Sequence, residues 1–247
     1  MKLKYRKFFL LLVPIVGFGL WAYYPNIITN NSGLVFKIEG VLDSKLNFRD
    51  AGLSINECAA RKLLPEGKIY RASGFFSGWL CDRVGNPDFI FSLNGSIASN
   101  RQSYCRSPEG LKIGVKFQQE ELNDLEFLTT WSSRPEMVNA VCQFLKAEIT
   151  NLANDKSSLF HCDAGRDRTG AVIALLAAYQ LEMDGNLSDE EISAIECDYR
   201  KSQSLDAEKY GRIHNFLYAI RSQNGVRKFL ASKCCSVESN CVFNSDH

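Results

Sequence analysis

The chain has 247 residues, 45% of them hydrophobic and 23% charged, and its 29 Lys and Arg against 28 Asp and Glu leave a net charge of +1. That balance excludes a disordered chain and a disulfide-held mini-scaffold, since the length suffices to bury a core, and it lacks the basic excess of a nucleic-acid binder. Only three histidines occur, His161, His214 and His247, which excludes a histidine-rich metal centre, and no metal or cofactor is expected.

Lys2, Lys4, Arg6 and Lys7 precede seventeen residues without a charge, 8–24. Cations followed by an apolar run are the layout of a secretory signal or a signal-anchor. Pro14, Gly17 and Gly19 weaken a soluble helix there, and no small-x-small cleavage site precedes Tyr23. Residues 1–33 are therefore read as an uncleaved membrane anchor and polar linker, with the cations inside and the body exported; a cleaved peptide is the alternative. The body is set at 34–233 and a cysteine-containing tail at 234–247.

Along the body, 34–41, 88–93, 111–117 and 157–161 read as strands, with 94–110 a polar loop. Apolar spacing predicts a helix over 135–149, capped by Ser132 or Ser133 with Pro135 in its first turn. An alanine-rich apolar run predicts a central buried helix over 170–183. Ser188-Asp189-Glu190-Glu191 is a capping box opening a helix through Arg200, and further helices are read over 205–223 and 226–233. Strand–helix alternation followed by a helical carboxyl half predicts an α/β fold, a parallel-containing central sheet flanked by helices.

The chemistry concentrates in 161–170, His-Cys-Asp-Ala-Gly-Arg-Asp-Arg-Thr-Gly, between a predicted strand and a predicted helix. Such a loop turns several backbone N–H groups and a helix amino terminus toward one concavity, which suits a tetrahedral anion. Cys162 at its start is a candidate nucleophile whose thiolate the site favours. Arg168 offers a planar fork to two phosphate oxygens. Thr169 places a hydroxyl near the sulfur, and Gly165 lets the loop turn tightly and approach a ligand. Asp163, Ala164, Gly165 and Arg166 are the candidate substrate-binding turn, with His161 orienting it by hydrogen bonding.

This segment resembles the signature loop of the cysteine-dependent protein-tyrosine and dual-specificity phosphatases. A second match resembles a bacterial branch that opens with Asn-Phe-Arg-Asp and then Tyr-Arg-Ser: Asn47, Phe48, Arg49, Asp50, Tyr70 and Arg71 match, with Ala72 inserted before Ser73, and Arg166 stands where that branch often has lysine. The resemblance covers 46–183. It implies a dual-specificity-like phosphatase fold and a phosphoric monoester hydrolase acting through a phosphocysteine on Cys162, with no metal. It also implies Arg49 and Asp50 near the pocket and a general acid some 30 to 40 residues before the cysteine. Asp124, 38 residues before Cys162 among Glu120, Glu121 and Glu126, is the first candidate; Asp167 is the second and Asp50 the third.

Arg166 beside Arg168 favours an anionic substrate, whereas Asp163 stands where phosphoinositide-directed relatives prefer lysine. The expected partner is a phosphotyrosine or mixed phosphoprotein, or a small phosphomonoester. A phosphoinositide or inositol phosphate substrate, or a catalytically silent phosphate-binding module, are the alternatives. Of nine cysteines, Cys162 is expected to stay free while most of the others pair in an oxidising compartment. Their pairing is not deducible from sequence, though Cys234 or Cys235 with Cys241 would make a local bridge.

Overall fold

Six strands make one sheet in the order β1-β2-β6-β3-β5-β4, in a computed structural model that describes residues 47–94, 103–118, 133–182, 186–202, 205–222 and 225–234. The strands are β1 Arg49–Asp50, β2 Ile69–Ser73, β3 Phe89–Ser92, β4 Tyr104–Arg106, β5 Lys112–Gln118 and β6 Ser158–Cys162. The four inner strands run parallel, and β1 and β4 close the edges antiparallel. The helices are α1 Ala51–Asn56, α2 Pro135–Ala153, α3 Asp167–Leu181, α4 Asp189–Arg200, α5 Arg212–Arg221 and α6 Val226–Cys234. The α/β class read from the sequence is thus the observed one.

Strand β6 is buried at every position, and its alternating side chains serve two layers. Phe160 stacks on Phe91 at 4.9 Å and meets Phe144 of α2 at 5.2 Å, within a core to which every described helix contributes. Leu159 faces a smaller cluster made with Ala72, Phe76, Cys81, Val84, Ile90 and Cys105. Helix α3 is apolar on nearly all sides, as befits an element enclosed by its neighbours.

Several sequence expectations change in detail. Helix α2 has Arg134 as its N-cap with no side-chain cap bond, not Ser132 or Ser133, and Pro135 opens it. Residues 94–110 contain strand β4, hidden from a pattern reading because its buried centre is Cys105, which bridges Cys81. The helix read over 205–223 is broken: Ala207–Lys209 is a 3-10 turn, and Gly211 takes the left-handed conformation at φ 80° before α5 starts. The amino ends of α5 and α6 rest on buried glutamates of earlier segments. Glu196 accepts from Gly211 and His214 N–H, and Glu182 accepts from Val226 and Arg227 N–H, an anion at each helix start being favourable.

Among the described residues, three disulfides join Cys58 to Cys197, Cys81 to Cys105 and Cys142 to Cys234. The expected local bridge from Cys234 to Cys241 is not formed, because Cys234 ends α6 where that helix packs on α2 and its Cys142. Cys162 is the free cysteine among the described residues. Among those residues no helix is long and apolar enough to cross a membrane; the expected anchor and the strand read over 34–41 lie outside them, as do Cys235 and Cys241.

Candidate active site

Ligand sites in parallel sheets form beyond the carboxyl ends of the strands, and the His-Cys loop lies there. Cys162 is the last residue of β6, in register with Ser73 at the end of β2, and the residue before it, His161, is in register with Ser92 at the end of β3. The chain then turns through 163–166 and enters α3 at Asp167. The first N–H groups of such a helix have no partner within it, which leaves them available to an anion at the turn.

Cys162 is 2% exposed. Its Sγ accepts a hydrogen bond from Thr169 Oγ1 at 3.2 Å, and Thr169 itself is fully buried. Arg168 donates through one amino group to Leu93 O at 2.9 Å and Asn94 Oδ1 at 3.0 Å, and through the other to Asp163 Oδ2 at 2.8 Å. The segment after β3 therefore steadies the guanidinium that the loop supplies.

A buried bracket supports the turn from behind. Arg71 of β2 is fully buried and donates to Gly165 O at 3.0 Å, Arg166 O at 3.3 Å and Ser202 Oγ at 3.2 Å, and it pairs with Asp198 of α4. Arg49 donates to the other Asp198 oxygen at 2.7 Å, to Asp198 O at 2.7 Å and to Ser202 Oγ at 3.1 Å. Asn47, at φ 50°, holds Ala164 O at 2.7 Å. Burial lowers Arg71, and the Arg49 charge lowers it further, but attraction to Asp198, with a smaller contribution from Cys162, limits the fall to about 10. It thus remains a cation at neutral pH. Burial pushes the Asp198 carboxyl up, yet Arg71 and Arg49 outweigh it and hold the group at about 2.

The expected site residues divide accordingly. Cys162, Asp163, Arg168 and Thr169 come together around the turn. Ala164 and Arg166 contribute carbonyls to the bracket. Gly165 sits at φ 65°, and a side chain there would come within 2.5 Å of the Ala72 backbone. The tight turn is as expected, and the close approach that the structure shows is to β2.

His161 lies edge-on to Phe76 at 5.1 Å, and burial lowers it to about 4, so the imidazole is neutral. Contact with the Cys162 backbone and the Asp163 charge act against that fall without offsetting it, and neither ring nitrogen makes a hydrogen bond of good geometry among the described residues. The ring is held by packing against Phe76 and by its contact with the Cys162 backbone.

Arg49 was expected at the substrate and instead pairs with Asp198. Asp50 caps α1, accepting from Leu53 N at 3.2 Å and from Gly67 N. Asp167 accepts from Tyr199 at 2.9 Å and from Lys209 at 3.0 Å, with Arg212 at 3.8 Å. Burial raises the Asp167 carboxyl, but the Lys209 and Tyr199 bonds and nearby cations bring it below its usual range. Asp124 lies outside the described residues.

Sequence reasoning missed Arg71 as a site residue, although the Tyr-Arg match marked it. It had no signal at all for Asp198 and Ser202, which lie 127 and 131 residues from Arg71 along the chain. Among the described residues no cluster of His, Cys, Asp or Glu could hold a metal ion.

A family model described as the tyrosine phosphatase family matches residues 111–238, about half of the chain and inclusive of the whole Cys162 loop. No curated protein matches the chain.

Proposed function

The chain belongs to the tyrosine phosphatase family, and from that premise we propose that it hydrolyses phosphotyrosine-type monoesters through a phosphocysteine on Cys162. The supporting observation is the sulfur itself: the free cysteine among the described residues, beside three bridged pairs there, at the carboxyl end of the central strand, with Thr169 Oγ1 3.2 Å away.

In the first step the Cys162 thiolate attacks phosphorus. The S–P bond forms, the P–O bond to the leaving group breaks, and a general acid protonates the departing oxygen. Loop N–H groups and Arg168 take the charge of the transferring phosphoryl group. Water then attacks phosphorus, orthophosphate leaves, and the sulfur departs as a thiolate that the Thr169 hydroxyl stabilises.

The acid must carry a proton at working pH. Asp167 is kept ionised by Lys209, and Asp50 is spent on a helix cap, so the proposal assigns the acid step to Asp124. The disulfides support a site of action in an oxidising, extracytoplasmic compartment, reached through the amino-terminal segment.

The test is hydrolysis of an aryl phosphate by the full chain without added metal. Cys162→Ser is expected to abolish turnover while leaving the melting temperature within a few degrees of the parent. Undiminished turnover in that variant would sink the phosphocysteine. Asp124→Asn should slow esters with poor leaving groups more than those with good ones, and equal slowing of both would remove Asp124 from the acid role.

A further inference from the structure

Helix α4 is the buttress of the Cys162 turn. Its Asp198 pairs with Arg71, which holds Gly165 O and Arg166 O, and its Tyr199 hydroxyl donates to Asp167 at the start of α3 at 2.9 Å. The Tyr199 ring lies against Gly170 of α3, and Ser202, just beyond α4, accepts from both Arg71 and Arg49. The residue before Asp198 is Cys197, which is bridged to Cys58 in the segment after α1. One covalent bond thus ties that segment to the helix position next to the aspartate on which both guanidiniums rest.

The three bridges among the described residues differ in access. Cys81, Cys105, Cys142 and Cys234 are each 2% exposed or less, whereas Cys58 and Cys197 are both half-buried. A thiolate must reach a sulfur to exchange with it, so an exposed bridge is the labile one. The ion pairs on the same flank hold α4 less firmly. Lys201 meets Glu57 at 2.8 Å and Arg61 meets Glu191 at 2.9 Å, each pair including an exposed side chain, and exposed pairs contribute little. We infer that the Cys58–Cys197 bridge is a positioning element of the active site and a redox-sensitive one: a dithiol that opens it slackens α4 and lowers turnover at Cys162 while the chain stays folded. The inference rests on the proposed role of Cys162 as the nucleophile.

In the opening step one sulfur of the dithiol attacks the bridge, a mixed disulfide forms, and one protein sulfur leaves as a thiolate. The second sulfur of the dithiol then closes on the first and frees the other protein sulfur. The protein bridge gains two electrons, the dithiol is oxidised to a disulfide, and its two protons end on Cys58 and Cys197. Cys162 needs the opposite state, a free thiol, so the site requires one oxidised pair and one reduced sulfur. A cysteine nucleophile without such a bridge would keep or regain turnover in a dithiol; here the dithiol lowers it.

The experiment titrates the full chain with dithiothreitol and follows the state of each bridge by mass mapping, turnover of an aryl phosphate, and amide hydrogen exchange peptide by peptide. The Cys58→Ser/Cys197→Ser double variant is measured beside the parent. Cys58–Cys197 should open at a lower dithiol concentration than the two buried bridges. Turnover should fall about tenfold in step with it, and reoxidation should restore both. The double variant should start at the lowered rate and not respond to the same concentrations of dithiol. Exchange should quicken in the peptide across 162–170 while α2 and β3 stay as in the parent, whereas a bridge that serves stability alone would speed exchange throughout the chain or only beside its own sulfurs.

Undiminished turnover with the bridge open would overturn the inference, and so would unchanged exchange across 162–170 or unfolding of the parent when that bridge alone is opened. Simultaneous opening of all three bridges would overturn the redox selectivity. If the double variant does not fold, the titrated parent decides. A parent that fails to hydrolyse aryl phosphates sinks the phosphatase reading, while exchange across the turn still decides the bridge.

Discussion

Two acidic side chains are buried beside strand β6, toward its opposite ends, and they answer burial in opposite ways. Near the carboxyl end, Asp198 stands between Arg71 and Arg49 and stays ionised down to about pH 2. At the amino end, Glu148 of α2 is fully buried, its Oε2 meets Asn151 at 3.3 Å, and its Oε1 has no hydrogen-bond partner among the described residues. Burial raises it to about 8 against the smaller effects of Ser158 and Asn151. The same functional group is thus a fixed anion under the candidate site and a neutral acid at the far end of the strand. The difference is the presence of two guanidiniums, which offset desolvation for one group and not for the other. It also places the permanent charges of this core where a loop of carbonyls needs donors.

Asp198 is the more costly of the two acids to lose. Asp198→Ala leaves Arg71 and Arg49 facing each other without a counter-ion, and loss of one partner of a buried pair costs about 3–5 kcal/mol. Urea denaturation should show that loss, together with collapse of any turnover, since Arg71 holds Gly165 and Arg166. A loss below about 1 kcal/mol would mean that the bracket adds little to stability.

Glu148→Gln sharpens the comparison from the other side. The folded-state value of Glu148 lies above its ordinary 4.5, so its contribution is fully favourable below that pH and is lost as the pH rises toward about 8. The glutamine variant should abolish this decline between about pH 4.5 and 8 and exceed the parent by on the order of a few kcal/mol at pH 8. Asp198 has the reverse sign: with a folded-state value below its ordinary 3.8, its stabilisation is present above that pH and is lost as the pH falls toward about 2. Stability measured from pH 2 to 9 in parent and variant separates the two limbs. A fall in stability between about pH 4.5 and 8 that persists in the glutamine variant would clear Glu148 of the effect.

The smallest expected change is at Asp50, the remaining acid of the Asn-Phe-Arg-Asp segment. Asp50→Ala removes the cap of α1 and should cost about 1 kcal/mol, visible as a lowered midpoint in urea. A neutral outcome would show that α1 is held by its packing on β2 and α4 alone.

Local patterns carried much of this molecule. The run after Gly170 could hardly be anything but an enclosed helix. Ser188 and Glu191 announced the start of α4, and their reciprocal cap bonds are present. The strand–turn–helix around Cys162 was legible because a nucleophile, a glycine and an arginine at those spacings make sense only when a strand end and a helix start frame them. Less legible were β2, read only as a motif, and β4, whose centre is a bridged cysteine. The single helix expected after Leu205 failed because Gly211 bends the chain, a backbone event that an apolar repeat does not register.

The roles of Arg49 and Arg71 divide the two levels most sharply. Their presence in a motif was plain in the chain, and so was the chemistry of Cys162 and Arg168, because residue type and short spacing settle what a loop can do. That both arginines face one aspartate on α4, and that Arg71 holds the carbonyls of the Cys162 turn, was decided by how α4 packs against α1 and α3. Contacts between residues more than a hundred positions apart leave no periodicity to read, and a buried charge finds its partner only when the fold has closed around both.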